Sequence, residues 1–383
     1  MVFTFQYPHT GGVSLVGVDP VADSVAWQTV LGSPWPTPLE RTRGGDAVKT
    51  LGQTGREAVL SLEQLQSGGF VEIPLPRAGE ARVPSGKVLA LEGDGRETLV
   101  IAPGNGASAV WVEDAQAPGR WRPLELPSAL AAAPLAWGRD LLIPGADGRA
   151  YLIDPVTAQS KAEPLVPVYN RERRGRWRAP VQLNAMTVVL ADDAGRVRRL
   201  SLQQKPVPRL VVEAEKQLEK GILADPATTG GSVIVATADQ RVRVLSARDL
   251  SPVGAWPLEA PLLGSPVTAG ERCFVYDSAG GIMALGPDGR RLWSIKLDSA
   301  VAGPPLIQDD LVWLLDREGH LHARSLADGA ARQQLELGVL PCGGLLQVGP
   351  EAIVPVARGT VQLVALHPRL GRESLTRRAE PSP

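Results

Sequence analysis

Residues 262–337 state one pattern twice, and that repetition limits what the chain can fold into more than any other feature. The first copy opens Gly264-Ser265-Pro266-Val267, runs through Cys273-Phe274-Val275-Tyr276 and turns at Ala279-Gly280-Gly281. It continues through Ile282-Met283-Ala284-Leu285, turns at Pro287-Asp288-Gly289 and ends Arg291-Leu292-Trp293-Ser294-Ile295. The second copy has Gly303-Pro304-Pro305-Leu306, Leu311-Val312-Trp313-Leu314, Glu318-Gly319, His320-Leu321-His322-Ala323 and Asp328-Gly329 in the same order. Short apolar runs between glycine turns read as strands. A unit of this size, copied along the chain, closes into one body whatever the total length.

Three marks place the copies. Turns fall at Gly12, Gly55, Gly106, Gly148, Gly195, Gln240, Gly280, Gly319 and Gly359, at steps of 43, 51, 42, 47, 45, 40, 39 and 40 residues. Glycine suits such hairpins because they demand positive φ; Gln240 is the exception, and its turn is expected to be of another type. A proline opens a strand in five middle units, at Pro134, Pro180, Pro226, Pro266 and Pro305, where the missing N–H costs no ladder bond. A large ring recurs in the fourth strand, at Trp27, Phe70, Trp121, Trp256 and Trp293. Aromatics are only 4% of the chain, so this recurrence points to one shared packing role, the docking of unit on unit. Leu210 takes that place in the fifth unit. The strongest helix candidate, 213–220, lies between two strand patterns.

The fold class is therefore all-β: a β-propeller, with eight four-stranded blades as the count and seven or nine as the alternatives. The first unit lacks its first strand, so the ring is expected to close with strands from both termini, which removes open edges. Residues 1–376 read as a single propeller and 377–383 as an unfolded tail.

Composition excludes several functions. Forty basic and 41 acidic residues leave a net charge of −1, so no global field points to nucleic acid or a membrane surface. Two cysteines, Cys273 and Cys342, do not make a disulfide framework. No run approaches the ~20 apolar residues of a membrane span, so no membrane insertion by this chain is expected. Met1-Val2-Phe3-Thr4-Phe5-Gln6 has neither a basic nor a long apolar region, so no signal peptide is visible. The abrupt strand-like start favours a mature or excised part of a longer chain.

The unit resembles the PQQ-like repeat, the blade of quinoprotein-alcohol-dehydrogenase-like propellers and BamB-like proteins. The residues that carry the resemblance are 18–23 leading to Trp27, Ile153-Asp154-Pro155-Val156-Thr157-Ala158, Leu285-Gly286-Pro287-Asp288-Gly289 leading to Trp293, and Leu326-Ala327-Asp328-Gly329. The resemblance covers nearly the whole chain. It implies that the tryptophans dock each blade on its neighbour and that the compartment is the periplasm, envelope or exterior. WD-repeat propellers are the rival, but no Gly-His opener and no Trp-Asp dipeptide occurs.

Quinoprotein dehydrogenases of this superfamily hold PQQ beside adjacent cysteines, with a Glu–Asn–Asp set on calcium. This chain has no adjacent cysteines, so no cofactor is expected. Asp147-Gly148 and Asp288-Gly289 read as hairpin turns rather than calcium ligands. His320 and His322 share a strand face but lack an evident third ligand, so they read as a solvated face and no metal is expected.

One segment departs from its background: Asn170-Arg171-Glu172-Arg173-Arg174-Gly175-Arg176-Trp177-Arg178. It joins the fourth strand of one unit to the first of the next, on the face of the second-to-third-strand turns, where Arg196, Arg198, Arg199, Arg241 and Arg243 also lie. Guanidinium groups beside an indole suit an acidic partner, a phosphate or a sugar. Arg173, Arg174, Arg176 and Trp177 are thus the candidate partner-binding residues, against the simpler reading of a solvated loop with Trp177 folded onto the rim. The expected function is a non-catalytic scaffold that binds another protein, in a larger bacterial envelope or secreted protein. The alternative is an enzyme, either a divergent quinoprotein oxidoreductase or a polysaccharide-active propeller. Carboxylates converging in the central channel would favour the enzyme.

Overall fold

The structure is a computed structural model. It describes residues 2–6, 13–19, 24–31, 40–41, 47–51, 57–61, 86–92, 97–114, 120–167, 175–338, 340–341, 343–348, 351–356 and 360–365. These residues build nine antiparallel sheets, each a meander of consecutive strands. Sheet 1 is Val2–Gln6, Val13–Asp19 and Ser24–Leu31; sheet 2 is Glu40–Arg41, Ala47–Leu51 and Glu57–Ser61. Sheet 3 is Gly86–Glu92, Glu97–Pro103, Ala109–Glu113 and Trp121–Glu125; sheet 4 is Leu135–Trp137, Asp140–Pro144 and Ala150–Ile153. Sheet 5 is Val181–Asn184, Thr187–Ala191, Arg196–Gln203 and Arg209–Gln217; sheet 6 is Ala227–Thr229, Ser232–Thr237, Arg241–Ser246 and Pro252–Pro257. Sheet 7 is Val267–Ala269, Arg272–Tyr276, Gly281–Leu285 and Arg291–Lys296; sheet 8 is Leu306–Gln308, Leu311–Leu315, His320–Ser325 and Ala331–Glu336. Sheet 9 is Leu346–Val348, Glu351–Val356 and Thr360–Ala365.

No helix occurs among the described residues. The helix candidate at 213–220 belongs instead to the long outer strand Arg209–Gln217. Its side chains alternate between half-buried and exposed over most of that length, the period of a strand with one covered face.

The core lies between sheets, not within them. Second strands are buried along their whole length in sheets 5 and 6, as expected when both faces are stacked against neighbours. Val189, Ala191 and Val197 of sheet 5 pack with Val233, Val235 and Leu245 of sheet 6. Ile234 and Val244 of sheet 6 pack in turn with Val275 and Leu285 of sheet 7. The same sharing joins sheets 3 and 4, 4 and 5, 7 and 8, and 8 and 9. First strands of successive sheets lie side by side from sheet 3 to sheet 7, and the first strand of sheet 9 lies beside that of sheet 2. Sheet 1 pairs only within itself among the described residues.

Sheet 4 completes its outer edge irregularly. Residues 160–165 bond to its third strand through Lys161 N–H to Leu152 O (2.8 Å) and Leu165 N–H to Ala150 O (2.9 Å). The same segment is tied to the outer strand of sheet 5 by Glu163 N–H to Pro208 O (2.9 Å).

Candidate interaction face at the second-to-third-strand turns

Five turns share one construction: Gly145–Arg149, Asp192–Arg196, Thr237–Arg241, Asp277–Gly281 and Asp316–His320. The fourth residue donates its N–H to the first carbonyl, for example Gly195 to Asp192 (3.1 Å) and Gly319 to Asp316 (3.2 Å). That fourth residue has positive φ every time: +84 at Gly148, +92 at Gly195, +56 at Gln240, +84 at Gly280 and +90 at Gly319. Gln240 donates to Thr237 O (3.0 Å) just as the glycines do. Its turn is therefore of the common type, and the glutamine sits in the left-handed region that favours glycine. The turns at Gly12, Gly55 and Gly359 lie outside the described residues.

The connection to the next sheet runs over the same face. The carbonyls of Gly195, Gln240, Gly280 and Gly319 accept N–H groups from Leu218, Leu258, Leu297 and Leu337, at 2.8 to 3.0 Å. A second tie fixes each turn to the segment entering its own sheet. Leu130, Trp177, Ile222, Leu262 and Val301 form single bridges to Gly145, Asp192, Thr237, Asp277 and Asp316. Trp177 thus occupies a repeat position that is aliphatic elsewhere. It is 2% exposed and packs with Trp137, Leu190 and Leu200 in the core shared by sheets 4 and 5. In this structure it offers no surface to a partner.

The first residue of these turns is often an aspartate, suited to that position because its carboxylate accepts from amides two and four residues on. Asp192 Oδ1 accepts from Arg196 N–H (3.0 Å). Asp277 Oδ1 accepts from Ala279 and Gly281 N–H (2.9 and 2.7 Å). Asp316 Oδ1 accepts from Glu318 and His320 N–H (3.0 and 2.8 Å). All three carboxylates are buried, so the other oxygen matters as well. In sheet 5 Asp192 Oδ2 meets Arg198 Nη1 at 3.2 Å, and Arg198 Nε donates to Glu215 at 2.7 Å. The Arg198 guanidinium also stands 5.3 Å from the Trp177 ring centre. In sheet 6 the pair is shifted to Arg243 and Asp239, at 2.6 Å. In sheet 8 Asp316 Oδ2 is shared by His320 Nδ1 and His322 Nε2, both at 3.1 Å.

The histidine pair is therefore not a solvated face. His322 is buried, and both rings turn onto one carboxylate. Burial alone would raise the Asp316 pKa, but the His320 N–H and the two imidazoles outweigh it and hold the carboxyl below its ordinary range. Among the described residues no group of three or more His, Cys, Asp or Glu is arranged to hold a metal ion. Cys273 is buried, and burial pushes its thiol up to about 12, so it is inert; Cys342 lies outside the described residues.

The arginines expected to gather on this face are mostly committed within the protein. Arg198 is enclosed, while Arg199 pairs with Glu213 at 3.0 Å and also donates to the Arg248 carbonyl. Arg178 donates to Ile222 O in the next sheet (2.8 Å), and exposed Arg176 reaches back to Ala131 O (3.3 Å). Arg173 and Arg174 lie outside the described residues.

At the opposite ends of the strands, the third-to-fourth-strand turns receive side chains from the preceding sheet. Trp256 Nε1 donates to Gly289 O (3.2 Å) and Trp293 Nε1 to Leu326 O (3.1 Å), each one sheet on. Gly329 leaves room for the second indole: a Cβ there would stand 2.9 Å from the Trp293 ring. Trp121 is buried with Ile101 against Val88, Leu99 and Trp111. Its neighbour Arg122 bonds the carbonyls of Pro155 and Val156 in the next sheet, both at 2.7 Å. Trp137 does the same from a first strand, to Ala185 O (3.0 Å). Phe70 lies outside the described residues, as does the side chain of Trp27.

Residues 254–378 match the family model described as outer membrane protein assembly factor BamB. The repeats within those residues are PQQ-like and resemble those of BamB. The BamB of Burkholderia pseudomallei (strain K96243) is 26% identical over 208 residues, 51% of this chain and 54% of that one. The chain thus spans about half the length of the curated relative it matches. Among solved structures, the computationally designed Ika8 protein aligns with a TM-score of 0.58 at 15% identity, over 86% of this chain and 96% of that one. Apo AztD from Citrobacter koseri aligns at 0.53 and 11% identity, over 85% and 92%. These two likenesses show the fold alone. The sheets are those of a β-propeller, similar to BamB over residues 254–378, and no helix among the described residues is long and apolar enough to cross a membrane.

Proposed function

We propose that this BamB-like chain is a non-catalytic scaffold for outer-membrane protein assembly, acting by protein–protein contact through its second-to-third-strand turn face. The observation that carries the reading is the match of residues 254–378 to the BamB family. Six of the eight first strands of sheets 2 to 9 support it: Leu135–Trp137, Val181–Asn184, Ala227–Thr229, Val267–Ala269, Leu306–Gln308 and Leu346–Val348 contain no carboxylate, and Glu40 and Glu92 are the acids of the other two. Sheets 2 to 9 form an eight-blade ring in this reading, closed where Leu346–Val348 lies beside Glu40–Arg41. The envelope is its compartment and a protein its partner.

Deleting the gene in its own host should lower the amount of folded β-barrel protein in the outer membrane. Restoring the wild-type chain should return it. A variant reversing two exposed turn charges, Arg241→Glu with Arg317→Glu, should restore less, whereas Arg290→Glu at the opposite end should restore fully. Unchanged barrel levels on deletion would overturn the reading. Equal rescue by both variants would move the contact off this face. Arg173→Glu with Arg174→Glu tests the neighbouring loop in the same assay.

A further inference from the structure

The shared carboxylate of sheet 8 has a property that its counterparts lack. In sheets 5 and 6 the turn acid is held by a guanidinium, Arg198 or Arg243, which keeps its charge at any physiological pH. In sheet 8 the same place is taken by two imidazoles, the side chains whose ordinary titration lies near neutrality. We propose that Asp316, His320 and His322 form a proton-controlled clasp: charging one imidazole tightens the 316–320 turn, and discharging it loosens the turn.

The geometry fixes what each ring does. A carboxylate only accepts, so the bonded nitrogens carry the hydrogens: Nδ1–H on His320 and Nε2–H on His322. Protonation leaves both bonds in place and turns one of them from a neutral donor on a carboxylate into a hydrogen-bonded ion pair, which strengthens it. One carboxylate balances one imidazolium. A second charge, on a ring whose centre is 6.2 Å from the first, works against it. His322 is buried, whereas the His320 side chain is 29% exposed, so solvent protons reach the cluster through His320.

The charged groups around the cluster are at its exposed side. Across the sheet, Glu336 stands opposite His320, and Leu314 and Gln334 stand opposite His322. The turn adds Arg317 and Glu318, both exposed. The entering segment contributes Val301, bridged to Asp316. Beyond it, the packed faces are apolar: Ile282 and Leu297 from sheet 7, and Leu345, Ala352 and Val354 from sheet 9.

Amide hydrogen exchange on the whole chain tests the clasp, because the Glu318 and His320 amides donate directly to Asp316. The Arg196 amide, donated to Asp192 in sheet 5, is the internal control. After correction for intrinsic exchange, protection at Glu318 and His320 should rise about three- to tenfold from pH 8 to pH 5.5, while Arg196 stays level. His320→Asn with His322→Gln keeps N–H donors but cannot charge, and should abolish the rise while retaining protection at pH 8. An equal rise at Arg196, no rise at sheet 8, or a rise that survives in the double variant would each overturn the proposal. The wild-type comparison of the two turns stands even if that variant does not fold.

Discussion

The turns of sheets 5 and 8 have the same backbone and the same buried aspartate, yet they are stabilised by different chemistry. In sheet 5 Arg198, 1% exposed, fills the space under Asp192 with a permanent charge and lies against Trp177. In sheet 8 two smaller rings divide one oxygen between them. In these two turns a side-chain donor for the buried carboxylate recurs while the residue that supplies it differs; among the described residues, Asp277 of sheet 7 has backbone donors alone. Where the donor is a guanidinium the turn is fixed. Where it is imidazole the turn answers to protons.

The largest effect should come from breaking the sheet 5 pair. Arg198→Met leaves the Asp192 carboxylate buried without its charged partner, a loss of about 3–5 kcal/mol, and urea denaturation should register it as a lower midpoint. Adding Asp192→Asn should recover much of that loss. His322→Met in sheet 8 should cost less, about 1–2 kcal/mol, because His320 still donates to the same oxygen. Equal losses at the two sites would erase the distinction between them.

Next in size is the backbone of the turn. Gly195 has φ +92, and a Cβ there would lie 2.6 Å from Lys220 O. Gly195→Ala should therefore destabilise by about 1–3 kcal/mol.

Acid should act on the sheet 8 turn in a further way. The folded-state pKa of Asp316 is depressed. Its contribution is complete above the unfolded carboxylate value of ~3.9 and is lost as pH falls through the lower folded value. Melting temperatures taken from pH 5 to pH 2 should fall less steeply for Asp316→Asn than for the wild type.

The smallest effect is a gain. Gln240 holds φ +56 without glycine's freedom, so Gln240→Gly should raise stability by about 1 kcal/mol in the same denaturation assay.

Period and turn chemistry were legible from residues alone. Every described turn assigned to a glycine has positive φ, and the PQQ-like, BamB-like character of the repeat was readable from turns and tryptophans together. What could not be read was which way side chains face. Trp177 was readable either as an indole open to a partner in an arginine-rich loop or as one folded onto the rim. It sits where Leu130 and Ile222 sit in other sheets, a register visible only from its bridge to Asp192. The histidines showed their shared face, but Asp316, four residues before His320, was hidden as an ordinary turn acid. Its carboxylate meets them only because the hairpin folds it back over the third strand. Arg198 gave no sign of burial, since a lone arginine in a strand reads as solvated until its two acids are found across the turn and the sheet.

Three indole ties among the described residues point one way along the chain, from Trp137 to Ala185, Trp256 to Gly289 and Trp293 to Leu326. During synthesis, then, the array of sheets matures with a lag. Each of these sheets emerges from the ribosome before the carbonyl that will receive its tryptophan exists, so the newest sheet is always the least finished. A stall in translation would strand one raw hydrophobic flank, at the trailing end of the growing array.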